Sequence, residues 1–86
     1  MDKNEFRLRG KVVQMARNLK NVNSNEFAKK VDINPTTFYA LEEEARSISP
    51  LNQIRIRRGL NEIGVSDAQI ACIQIIVEHD EGRFDE

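Results

Sequence analysis

The sequence predicts an all-α fold of five short helices in one small domain. Helix start signals recur along the chain, at Asn23, Asn34-Pro35, Ser49-Pro50 and Ser66. Apolar residues follow helical spacing between them. The chain has 86 residues, 40% hydrophobic and 31% charged, the mix of a globular protein with a single dense core. Two prolines and four glycines are too few for a fibrous or disordered chain.

The first helix is expected over about Asn4 to Lys20, with Leu8, Val12, Met15, Ala16 and Leu19 on its inner face and Asn21-Val22-Asn23 as the break. The second is specified twice. Asn23 is a good N-cap, and Glu26, three residues on, can return the bond to its backbone N–H. Val22 before the cap can touch Phe27 after it, a hydrophobic staple. This helix ends near Val31, and Asp32-Ile33-Asn34 forms a turn. Asn34 caps the third helix, Pro35 stands at the first helical position where its missing N–H costs nothing, and Ile33 can staple to Phe38. The third helix runs on through Phe38, Leu41 and Ala45.

Ser49-Pro50 opens the fourth helix and Gly64 caps its end. Ile56, Leu60 and Ile63 line one side of it, with Leu51 and Ile54 nearly opposite. Ser66 opens a fifth segment, with Gln69 completing a capping box and Val65 facing Ile70. Its stretch Ile70 to Val77 is the most hydrophobic in the chain. Ile and Val would suit a β-strand, but the capping box favours a helix. A helix apolar most of the way round must be buried on more than one side. The second side is expected to be another subunit, with Ile70, Ile73, Ile76 and Val77 in a dimer interface. The organisation expected is thus a main domain over 1–65, a dimerisation helix over 66–80 and a frayed acidic tail over 81–86.

Charge is unevenly distributed. Residues 1–40 carry eight Lys or Arg against four Asp or Glu, whereas residues 41–86 carry five against ten. A net charge of −1 therefore still allows one basic face. No run of about 18 apolar residues and no charged-then-apolar leader pattern occurs, so a cytoplasmic protein without membrane contact is expected. Cys72 is the only cysteine and His79 the only histidine, so neither an internal disulfide nor a zinc site is expected. On an apolar helix, Cys72 reads as a small core residue. No nucleophile–base–acid set is present. Glu42, Glu43 and Glu44 diverge by 100° per residue on a helix and cannot converge on one substrate. An enzyme is not expected, nor a cofactor.

Two helices with individually specified starts, joined by a turn of about three residues, make a helix-turn-helix unit from Ser24 to Glu43. The stretch 23–42, NSNEFAKKVDINPTTFYALE, resembles the Cro/cI (Xre-type) helix-turn-helix family of bacterial and phage regulators. The likeness extends more loosely from about Leu8 to Val65. Ala28 stands where the two helices cross, and Phe27, Val31, Ile33, Phe38 and Leu41 supply the face between them. The family often pairs an arginine of its first helix with a glutamate late in the recognition helix, and Arg17 and Glu42 fall at those positions. Asp32 replaces the usual turn glycine, Ser24 the glutamine that commonly opens the second helix, and Glu43-Glu44 a common Asn-Gly pair.

The resemblance implies a lambda-repressor-like fold and a dimeric transcriptional regulator, a repressor rather than an activator. It would read a palindromic operator through the helix at about 35–45, with the two recognition helices about one DNA turn apart. The best-known members read bases at positions matching Pro35, Thr36 and Ala40. In this chain readout would fall on Thr36, Thr37 and Tyr39 through their hydroxyls, with Ala40 offering apolar contact to a thymine methyl. Tyr39 at the edge of the core and threonines facing solvent is the open alternative. Phosphate contacts are expected from Ser24, Lys29, Lys30, Arg46, Arg55 and Arg58. Low net charge and few base-reading groups also suit a scaffold that binds a protein partner, as an antitoxin, antirepressor or phage inhibitor would.

Overall fold

The computed structural model describes residues 7–82. Among these residues five helices follow in order: α1 Gly10–Leu19, α2 Ser24–Lys30, α3 Pro35–Glu42, α4 Pro50–Glu62 and α5 Asp67–Asp80. No strand occurs among the described residues. The Cα radius of gyration of 12.4 Å is close to the about 12 Å expected of a compact domain this long. Helix α1 packs against all four others. The core contains Val12, Val13 and Ala16 of α1, Phe27 and Ala28 of α2, Phe38 and Leu41 of α3, Ile56 and Leu60 of α4, and Ile70, Ile73 and Val77 of α5.

The four expected caps form. Asn23 Oδ1 accepts the Glu26 N–H at 2.8 Å, and Glu26 returns the bond to the Asn23 N–H at 3.3 Å. Asn34 Oδ1 accepts from Thr36 and Thr37, and Ser49 Oγ from Asn52. Ser66 and Gln69 close the second reciprocal box at 2.8 and 3.1 Å, and the segment 67–80 is helix throughout.

The ends of α1 to α4 share one device. Asn21, Asp32, Glu44 and Gly64 all take the left-handed conformation, at φ of 60°, 61°, 62° and 103°. In each case the next residue donates its N–H five residues back: Val22 to Arg17, Ile33 to Ala28, Ala45 to Ala40 and Val65 to Leu60. These are Schellman closures, and only one of the four uses glycine. Three turns then reuse a single apolar residue. Val22, Ile33 and Val65 each finish one helix and precede the cap of the next, so the turns Asn21-Val22-Asn23, Asp32-Ile33-Asn34 and Gly64-Val65-Ser66 are one three-residue unit.

Several expectations are corrected. The chain is extended at Arg9 and α1 begins only at Gly10; the portion expected over 4–6 lies outside the described residues. Gly10 allows this start, because a Cβ there would meet the Leu41 carbonyl oxygen and come within 2.8 Å of Glu42 Cα. Met15 and Leu19 are exposed at 40% and 64%, because α1 turns the face of Val12, Val13, Ala16 and Arg17 inward. Helix α3 stops at Glu42 rather than Ala45, since left-handed Glu44 ends it. Ile63 is only half-buried and caps α4 from outside it.

The expected dimer interface is corrected too. Ile70, Ile73 and Val77, at spacing 3 and 4, enter the chain's own core against α1, and only Ile76 of the four expected residues stays exposed, beside Ile75. Cys72 lies off that inward line and is exposed, not a core residue. Glu81 and Gly82 complete a turn after α5; the rest of the expected tail lies outside the described residues.

Candidate nucleic-acid interface

Helices α2 and α3 form a tight hairpin. Ala28 is fully buried where they meet, and the Phe27 and Phe38 rings lie 5.5 Å apart, tilted by 44°. A small side chain at 28 permits this approach, and the aromatic pair fills the space beneath it. Phe38, Leu41 and Glu42 face inward on α3, which leaves Pro35, Thr36 and Tyr39 on its outer side, with Thr37 and Ala40 half-buried. Tyr39 is 61% exposed, so it is not a core-edge residue.

A shallow groove runs between the start of α2 and the outer face of α3. Asn23, Ser24, Asn25, Glu26, Lys29, Pro35, Thr36 and Tyr39 line it. The structure therefore brings together Ser24, Lys29, Thr36 and Tyr39. Asn25 and Glu26 were not among the expected site residues. Asn25 had no signal beyond its place beside a cap, and Glu26 was accounted for by capping alone. Hydroxyls of Ser24, Thr36 and Tyr39, the Asn25 amide, the Lys29 ammonium and the Glu26 carboxylate give this groove donors and acceptors for a polar ligand.

The remaining expected phosphate contacts lie elsewhere. Lys30, Arg55 and Arg58 share a second hollow with Asp32, Gly59 and Glu62. Lys30 Nζ is 3.2 Å from Glu62, and Arg55 donates to the Asp32 carbonyl at 3.4 Å. Arg46 lines a third hollow, with Arg7, Arg9, Glu44 and Ser47. Of the six cationic or hydroxyl residues expected at phosphates, only Ser24 and Lys29 border the groove.

The three consecutive glutamates go separate ways. Glu42 is buried, and its carboxylate takes a two-pronged bond from Arg17, Nε at 2.6 Å and Nη2 at 2.8 Å. Arg17 Nη1 also donates to Asn18 Oδ1 and the Val22 carbonyl, so the guanidinium joins α1, the first turn and α3. Glu43 is exposed. Glu44 turns back toward α1, where Arg9 donates to both carboxylate oxygens at 2.8 and 3.1 Å and the Lys11 N–H adds a third bond at 3.2 Å. Arg9, the N-cap of α1, makes no capping bond of its own. Glu44 therefore supplies that helix's N-terminal acceptor from 33 residues away. The bonds from Arg9 hold the Glu44 carboxyl below the usual carboxylate range, against the opposing effect of partial burial. Arg9 also grips Glu81 at 2.7 and 3.1 Å. Its guanidinium is raised above its ordinary value by Glu81 first and Glu44 second.

Among the described residues no cluster of His, Cys, Asp and Glu has metal-holding geometry, and no single helix is long and apolar enough to cross a membrane. In comparisons with known proteins, no family model matches the chain, and no curated protein or solved structure matches it.

Proposed function

We propose that this chain is a sequence-specific DNA-binding regulator of the lambda-repressor-like helix-turn-helix type, acting as a repressor through the groove between α2 and α3. One observation carries this reading: the outer face of α3 is exposed beside the capped start of α2, with Ser24, Lys29, Thr36 and Tyr39 lining one groove. Asn34 caps the first turn of α3 by accepting the Thr36 and Thr37 N–H groups, and the outer residues of that turn are the ones a helix offers to base edges in a major groove. Thr36 and Tyr39 would read bases, Thr37 and Ala40 would flank them, and Ser24 and Lys29 would hold phosphates. Arg46, Arg55 and Arg58 would add backbone contacts only if DNA wraps beyond the groove, and Lys30 would have to exchange Glu62 for a phosphate.

Two copies would bind a palindromic site. With Ile70, Ile73 and Val77 in the core, the residues left for self-association on α5 are Ile75 and Ile76, both more than half exposed. Binding to DNA from upstream of the chain's own coding sequence tests the reading. Thr36→Ala/Tyr39→Ala should lose about tenfold or more in specific affinity, at about 1–3 kcal/mol per good contact, while weak binding to unrelated DNA persists. Unchanged specific affinity overturns the assignment.

One observation favours a second reading. The polar base-reading set is small, and Glu26 adds a carboxylate to the groove itself. A protein partner held on α3, as for an antitoxin or antirepressor, would suit such a surface, and would leave DNA unbound at low salt.

A further inference from the structure

We propose that two copies of this chain join through unlike faces, the basic apolar face of α4 in each packing on the acidic apolar face of α5 in the other. The inference rests on the self-association proposed above, not on DNA recognition.

Leu51 and Ile54 on α4 and Ile75 and Ile76 on α5 are each more than half exposed. Two isoleucines at that exposure offer roughly 100 Å² of apolar surface. A stable interface covers about 800 Å² per partner, more than half of it apolar. The α5 face therefore needs a second apolar face joined to it, and α4 carries one. Leu51, Ile54 and Arg58, at spacing 3 and 4, follow one line along α4. Beside that line opens a hollow of about 500 Å³, bordered by Leu8, Pro50, Ile54, Arg57 and Arg58. It is a recess for apolar side chains of the second copy, and the arginine stems extend its apolar wall.

Charge decides which faces meet. Helix α5 carries Asp67, Glu78 and Asp80 and no lysine or arginine. Helix α4 carries Arg55, Arg57 and Arg58 against Glu62 alone, and Glu62 is already paired with Lys30. Packing α5 on α5 would set acids against acids, and α4 on α4 arginines against arginines. Only α4 on α5 matches charge while covering all four apolar residues. The Arg58 and Asp80 side chains have no ion pair or hydrogen bond among the described residues. Ile54 and Arg58 are four residues apart, and so are Ile76 and Asp80. One register of parallel helices thus sets isoleucine on isoleucine and arginine on aspartate. The chain turns by 111° between α4 and α5. A two-fold axis along the bisector of the two helices exchanges their directions, so the same contact forms twice and closes the dimer. In this arrangement Arg58 faces the second copy and not DNA.

Sedimentation across a concentration series reads the dimer dissociation constant, with circular dichroism confirming that each variant is folded. Arg58→Asp and Asp80→Arg should each weaken the dimer about tenfold, because two exposed pairs per dimer turn repulsive. Arg58→Asp/Asp80→Arg should return the constant to within about threefold of wild type, the coupling expected of residues in contact. Leu51→Ser/Ile54→Ser should be monomeric where wild type is dimeric, although neither residue lies on α5. An unchanged constant in Arg58→Asp or in Leu51→Ser/Ile54→Ser, or charge variants whose losses simply add, overturns the α4–α5 pairing and leaves self-association through α5 standing. Wild-type protein that stays monomeric overturns self-association itself, and the inference with it.

Discussion

Arg17 and Glu42 are charged side chains at 8% and 4% exposure, and each has the other as its compensation. Removing one leaves the other charged and buried, which costs about 3–5 kcal/mol. Chemical denaturation of Arg17→Met should show a loss of that size, enough to unfold much of a small domain at room temperature. Arg17→Met/Glu42→Leu should recover a large part of it, since apolar replacement of a buried pair is often neutral. A double variant no better than the single would show that the bonds to Asn18 and Val22 matter more. Glu44 makes a different prediction. Its carboxyl is lowered in the folded protein, so its stabilising effect is present above the ordinary carboxylate value of 4.5 and is lost as pH falls through the lowered value. Unfolding midpoints followed from pH 6 to acid should fall less for Glu44→Gln than for wild type, and parallel curves would contradict the assignment. The Arg17 and Glu42 pairing was legible in the sequence through resemblance. The destination of Glu44 was not, because a carboxylate that caps a helix from 33 residues away leaves no local pattern.

Elements were legible wherever their boundary chemistry is local. Asn23 with Glu26, Asn34 with Pro35, Ser49 with Pro50, and Ser66 with Gln69 each start a helix where the cap chemistry places it. Helix faces were harder. Periodicity gives a stripe on α1, but Val13 lies next to Val12 and only packing decides that Val13 turns inward while Met15 does not. On α5 apolar residues occur all round, so the pattern held no information about which side faces α1. The start of α1 was also hidden, since Gly10 matters for what its missing side chain leaves room for. Alanine usually raises helix stability over glycine by up to about 1 kcal/mol. At Gly10 the added methyl would overlap the backbone of Leu41 and Glu42, which cannot rotate away as a side chain would. Overpacking of this kind costs about 1–3 kcal/mol, so Gly10→Ala should be destabilising despite the propensity gain. A midpoint equal to or above wild type would show that α1 can shift.

At the scale of the whole molecule, the fold places the basic first half and the acidic second half in contact instead of separating them. Arg9 meets Glu44 and Glu81, Arg17 meets Glu42, and Lys30 meets Glu62. The basic face that charge counting allowed is therefore smaller than the tally suggested, and among the described residues Lys29 is the only lysine or arginine lining the α2–α3 groove. On α5 the apolar residues left for the proposed self-association are Ile75 and Ile76. Sedimentation of the full chain at micromolar concentration should give a dimer, and Ile75→Glu/Ile76→Glu should give a folded monomer of 9.9 kDa. A wild-type monomer would contradict self-association in solution. The most direct test of the central claim, that the α2–α3 face binds DNA, is the salt dependence of affinity for a duplex from the chain's own upstream region. Lys29 from each of two copies on a palindromic site would neutralise two phosphates, which predicts a fall of log K with log salt of slope about −2 or steeper, at about −0.9 per contact. The account predicts that slope together with tighter binding than to a scrambled duplex, and affinity that is undetectable at low salt or indifferent to salt would contradict it.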